Sequence, residues 1–160
     1  CTVDSSCWVR GNLNTLAQAL ENLLRNAIRH SPKGGVVSLG AKRDGDFWHL
    51  WLEDEGGGVA EADIERIFCP FIRLDGSRPG DGGFGLGLSI ARNAVRRQGG
   101  RLWAQNTGTG LRLNMRLVAE IDAVRDDAFA GKPAPTSMVT PFSAILFLMP
   151  CLACFHLSGV

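Results

Sequence analysis

The chain has 160 residues, 45% of them hydrophobic and 21% charged, with a formal net charge of +1 at pH 7. That length supports one domain with a real core. A near-neutral balance with scattered arginines excludes a basic nucleic-acid-binding stripe. The five cysteines (Cys1, Cys7, Cys69, Cys151 and Cys154) are odd in number and lack paired metal-type spacing. Cys151–Cys154 is formally a CxxC, but it lies in an apolar tail with no βαβ context, so reduced thiols of a cytosolic domain are expected. The chain starts at Cys1 without Met or a signal-peptide pattern and reads as part of something longer.

Residues 12–30 predict a helix, with Leu13, Leu16, Leu20, Leu23, Leu24, Ala27 and Ile28 on one apolar stripe. Ser31-Pro32-Lys33-Gly34-Gly35 ends it. Residues 36–41 and 47–53 read as strands of a hairpin turning at Arg43–Asp46. Residues 60–68 predict a short helix with acidic residues in its first turns, which suits the helix dipole. Residues 74–83 are polar and Gly-rich and read as a mobile loop. A helix follows over 87–98, capped by Gly99-Gly100, and then a second hairpin, 101–106 and 110–118. The order implies an α+β fold, a two-layer α/β sandwich with helices on one face of a mixed sheet.

The expected organisation is a domain over 1–118, a polar Pro-containing linker over 119–140 and an apolar tail over 141–160. Residues 141–157 are broken by Pro150, lack basic flanks and fall short of the roughly twenty residues of a membrane span. A tail without a membrane role is the favoured reading over a spanning or interfacial one.

Four motifs carry chemistry. Asn22, Asn26, Arg29 and His30 recur at i, i+4, i+7 and i+8, so they share one helix stripe beside the apolar one. Polar groups in that position need partners, because unpaired burial costs kilocalories. An Asn oxygen is a hard ligand suited to Mg²⁺, a cation that keeps waters and takes much of its shell from phosphates. Asp54-Glu55-Gly56-Gly57-Gly58 follows a strand, where a carboxylate can accept an exocyclic amine and glycines let backbone approach a ring. Phe68-Cys69-Pro70-Phe71-Ile72-Arg73 pairs two aromatics, at least one of them core, with a guanidinium suited to phosphate. Gly83-Phe84-Gly85-Leu86-Gly87-Leu88 runs into a helix N-terminus, which makes an anion site. It is neither a Walker A motif nor a Rossmann fingerprint.

In this order and over roughly residues 8–118, the motifs resemble the N, G1, F and G2 boxes of the sensor histidine kinase ATP-binding domain. That family shares its fold with gyrase-, Hsp90- and MutL-type ATPases. The resemblance implies ATP and Mg²⁺ as cofactors, with Asn26 as the metal ligand, Arg29 on the phosphates and His30 where an aromatic lines the adenine pocket. It implies base recognition by Asp54 with Gly56 and Gly58. Phosphate binding falls to Gly83, Gly85, Leu86, Gly87 and Leu88, under a lid over 74–84. Asn22 and Arg73 are the catalytic candidates: Arg73 faces the γ-phosphate, and Asn22 stands where hydrolytic relatives carry a Glu base. An Asn cannot take that proton, which favours a kinase over an ATP-hydrolysing engine. Gly108-Thr109-Gly110 resembles the weaker last Gly box, and as a hairpin turn it needs no function.

Of His30, His49 and His156, none sits in a phosphoacceptor motif. The resemblance therefore implies that phosphate passes to a His on an upstream dimerisation domain of the same protein. It further implies a response regulator as partner, homodimerisation only through those upstream helices, no nucleic acid, and a cytoplasmic location as part of an inner-membrane sensor. Two alternatives stay open: a nucleotide-binding regulatory module without catalysis, and an anti-sigma-type serine kinase on the same fold.

Overall fold

Asn12 starts the first helix of the computed structural model by accepting the Thr15 N–H on its side chain at 3.0 Å. The helix, α1, spans Leu13–His30 and closes where the Ser31 N–H bonds Ala27 O, just before Pro32. The structure describes residues 8–74, 84–119 and 139–141. Gly83, most of the expected lid, most of the expected linker, all of the apolar tail but Pro141, and Cys1, Cys7, Cys151 and Cys154 lie outside them.

The remaining elements are β1 (Trp8–Arg10), β2 (Ser38–Asp44), β3 (Phe47–Glu53), 3-10 turns at Glu61–Asp63 and Arg66–Phe68, α2 (Gly87–Arg97), β4 (Arg101–Asn106), β5 (Leu111–Val118) and β6 (Val139–Pro141). The main sheet has the order β2-β3-β5-β4. The α+β two-layer arrangement is the one expected, but every pairing in this sheet is antiparallel, where a mixed sheet was expected. The reason is topological: β2–β3 and β4–β5 are both hairpins, and the second inserts β5 against β3 in the opposite sense.

One face of the sheet is apolar by period-two alternation. Trp48, Leu50 and Leu52 of β3 stand opposite Leu117, Met115 and Leu113 of β5, and Leu102 and Ala104 of β4 continue the same rows. The helices pack side by side over this face, with Leu16, Leu20, Leu23 and Leu24 of α1 and Ala91 and Val95 of α2 buried. Each fully buried leucine contributes about 1.5–3 kcal/mol, and Leu16, Leu23, Leu50, Leu113 and Leu117 are all of this kind. On the other face His49 stacks on Trp103, with centroids 5.4 Å apart, and bonds the Asn114 side chain.

Local boundaries differ from expectation in three places. Strand β2 begins at Ser38 and runs to Asp44, so the hairpin turns more tightly, at Gly45-Asp46, with Gly45 at φ 58°. The helix expected over 60–68 is instead the two 3-10 turns. Its first position, Ala60, offers no side-chain cap, and Pro70 follows closely. A second, two-stranded sheet was not foreseen: Val9, fully buried, pairs with Thr140 in β6 and bridges to Ala119. It ties β6, which straddles the boundary drawn between linker and tail, back to the start of the described chain.

Candidate functional site

The register that pairs Glu53 with Arg112 and Asn106 with Leu111 brings the ends of β3, β5 and β4 into one row. Asp54 is the first residue past β3 and lies beside Leu111. Its N–H bonds Leu111 O at 3.0 Å, and its Oδ1 accepts from Leu111 N–H at 3.2 Å and Gly56 N–H at 2.9 Å. The residue is 2% exposed. Both protein donors found on this carboxylate among the described residues go to Oδ1, which leaves Oδ2 as an acceptor for a ligand.

Asp54 borders a cleft of about 570 Å³ between the sheet end and the helices. Its lining gathers most of the residues singled out in the sequence. Asn26, Arg29 and His30 come from α1, Gly56 and Gly58 from the loop after β3, Arg73 from the segment after the 3-10 turns, Gly85 from the turn before α2 and Leu88 from its first turn. Leu86 and Gly87 are not in the lining. Asn22 stands off it behind Gly87, at whose position a Cβ would lie 3.8 Å from the Asn22 Oδ1. Of the two aromatics in the Phe68–Arg73 segment, Phe68 is core at 4% exposure and Phe71 is 73% exposed. Phe71 holds a φ of 65°, and its N–H donates to Gly85 O at 3.0 Å, joining the third motif to the fourth.

Two close approaches make the site what it is. A Cβ on Gly56 would meet His30 O at 2.8 Å, so the end of α1 abuts the loop only because that position is glycine. A Cβ on Gly110 would lie 1.9 Å from Asp54 O, so the turn before β5 rests directly on the buried carboxylate's own backbone. Gly110 is therefore structural to the site, although its turn alone needs no function.

Helix α2 begins at Gly87, its cap residue Leu86 gives it no side-chain cap, and the Ser89 hydroxyl donates back to Leu86 O at 2.8 Å. Its first backbone N–H groups are therefore left for an anion. Arg73 is exposed at the same cleft and has no carboxylate partner among the described residues. Arg66, also in the lining, is paired with Asp63. Sequence reasoning missed Asp63 and Arg66, together with the apolar walls from Val59, Ile67, Ile72 and Leu111. Nothing in the sequence singled out these apolar residues, and the ion pair sits in a stretch expected to be a short helix.

No group of three or more His, Cys, Asp or Glu among the described residues could hold a metal by itself. A single Asn26 amide oxygen on this cleft still fits Mg²⁺, which takes few protein ligands. Among the described residues no helix is long and apolar enough to cross a membrane.

A four-stranded antiparallel sheet under two helices, with a buried carboxylate and an uncapped helix N-terminus on one cleft, defines an ATP-binding domain of the kind found in sensor kinases. The chain belongs to the histidine kinase-, DNA gyrase B- and HSP90-like ATPase family, whose model matches residues 11–121. It is 60% identical over 119 residues to the sensor protein PfeS of Pseudomonas aeruginosa, covering 74% of this chain and 26% of that protein. It is 39% identical over 126 residues to the sensor-like histidine kinase SenX3 of Mycobacterium tuberculosis, covering 77% and 30%. Among solved structures, the mycobacterial sensor histidine kinase MprB matches with a TM-score of 0.65 at 28% identity, over 71% of this chain and 78% of that one. The ATP binding domain of PrrB from Mycobacterium tuberculosis matches with a TM-score of 0.57 at 26% identity, over 74% and 78%. SenX3 and MprB carry the name of sensor histidine kinases, which are protein kinases. This chain spans 26% of the length of PfeS and 30% of that of SenX3.

Proposed function

We propose that the chain is the catalytic part of a two-component sensor histidine kinase, which binds ATP with Mg²⁺ and presents its γ-phosphoryl group to a histidine on another domain. The observation that carries this is the one cleft shared by buried Asp54, unpaired among the described residues at Oδ2, and by exposed Arg73 with the uncapped start of α2. Asp54 accepts the adenine amine, with Gly56 and Gly58 under the ring. Gly83, Gly85, Leu86, Gly87 and Leu88 form the phosphate-binding turn, and Arg29 adds charge. His30 closes the base end of α1. Asn26 holds Mg²⁺, which neutralises phosphate charge when bound.

Arg73 offsets charge on the γ-phosphoryl group as its bond to the bridging oxygen breaks and a bond to the acceptor nitrogen forms, leaving ADP. Asn22, one turn before Asn26, supplies no base, so water is not activated and the phosphoryl group is kept for transfer. The acceptor histidine, the dimerising helices and a response regulator are the partners. The chain is read as the cytoplasmic part of a membrane sensor.

The test pairs binding with transfer. Calorimetry should give a micromolar-to-millimolar Kd for ATP with Mg²⁺, about −4 to −8 kcal/mol. With labelled ATP the chain alone should stay unlabelled, and adding a helical hairpin that bears the acceptor histidine should produce acid-labile label on that hairpin. In-line presentation at about 3 Å supplies much of the rate. No binding at millimolar ATP, or label on His30, His49 or His156 without the hairpin, would overturn the reading.

A further inference from the structure

Asn106 is the last residue of β4, and its side chain does a strand's work. Its Oδ1 accepts the Val59 N–H at 3.0 Å, and its Nδ2 donates to Val59 O at 2.7 Å. One amide thus pairs both backbone groups of a residue that has no strand neighbour, as a ladder partner would. The same Nδ2 donates to Glu61 Oε1 at 2.9 Å, in the first residue of the 3-10 turn. These partners fix the orientation of the amide, since a flip would set donor against donor and acceptor against acceptor. A Cβ on Gly58 would come within 2.6 Å of Asn106 Oδ1, so the loop lies tightly on this side chain.

Gly58, Val59 and Ala60 form one wall of the cleft, and Asp63 and Arg66 follow from the turns that Glu61 opens. Asn106 itself does not line the cleft. It stands behind that wall, half-buried, and among the described residues its side-chain bonds all go to the wall or its continuation. Val59 also packs against the core, and Gly57 N–H bonds Thr109 O, but both backbone groups of Val59 are held by the Asn106 amide, and Ala60 offers no side-chain cap to the turn that follows.

We infer that Asn106 is a positioning residue for the base end of the nucleotide site, holding the 58–61 wall at the distance that the adenine ring requires. The inference rests on the nucleotide-binding reading above. A residue that only stabilised the fold would change how much protein is folded, whereas a positioning residue changes the affinity of the folded protein. Calorimetry of the full chain with ADP and Mg²⁺ separates the two, since stoichiometry reads the folded fraction and Kd reads the site.

Asn106→Ala should weaken ADP binding about tenfold at near-full stoichiometry. Asn106→Asp should weaken it at least as much, because a carboxylate loses both donors and faces the Val59 carbonyl and the Glu61 carboxylate. An unchanged Kd in either variant, with only a lower stoichiometry or melting temperature, overturns the inference. Should neither variant fold, Glu61→Ala carries the test: it keeps both Val59 bonds and removes the third. A two- to threefold weaker Kd at full stoichiometry supports the inference, and an unchanged Kd overturns it. Absence of ADP binding by the unaltered chain would instead bring down the nucleotide reading itself.

Discussion

Asp54→Asn isolates the chemistry of one oxygen. The substitution is isosteric, and the side chain is 2% exposed, so packing is conserved. The Gly56 and Leu111 N–H groups both need an acceptor at the Oδ1 position. An Asn meets that need only by turning its carbonyl oxygen toward them, which puts its NH₂ group where Oδ2 stood. The adenine amine then meets a donor in place of an acceptor. The loss is one hydrogen bond to a charged group, about 1.5–3 kcal/mol, or roughly a 10- to 150-fold weaker Kd. The contact is with the base, so ATP and ADP should weaken alike. Thermal stability should change much less, because both backbone bonds to Oδ1 survive. Titration calorimetry with each nucleotide and Mg²⁺, beside a thermal melt, checks this. A variant that binds ADP within twofold of the unaltered chain would refute the assignment of Asp54 to the base.

Two other substitutions probe different parts of the cleft. Arg73→Ala should leave ADP affinity unchanged and cut phosphoryl transfer to an added acceptor hairpin by about 10²–10³, as for loss of one charge-stabilising donor. Equal losses of ADP and ATP binding with transfer intact would show that Arg73 serves elsewhere. Gly110→Ala places a methyl 1.9 Å from Asp54 O. The turn must shift, with an overpacking cost of about 1–3 kcal/mol, and both melting temperature and nucleotide affinity should fall together.

Much of the site was legible because its boxes are local. Asn26, Arg29 and His30 share a helix face by spacing alone, and all three line the cleft. Gly85 and Leu88 were legible because Gly-rich turns entering a helix have a local physical meaning. Asp63 and Arg66 were not, because an ion pair three residues apart in a short segment looks like any solvated turn. Asn106 was read only as the edge of a hairpin turn. Nothing near it in the chain reveals that its partners are Val59 and Glu61.

The amino-acid sequence by itself determined the helices, the two hairpins and the chemical character of each box. These depend on apolar periodicity, caps and turn residues within a few positions of one another. Only the tertiary structure decided that β5 lies between β3 and β4, that the sheet is antiparallel throughout, and that β1 pairs with β6. It also decided that Gly110 rests on Asp54 and that Asn106 holds Val59. The physical reason is reach: Asn106 and Val59 are 47 residues apart in the chain, and Asp54 and Leu111 are 57 apart. Contacts at that separation follow from strand register across a shared core, and register is set by which apolar rows bury together.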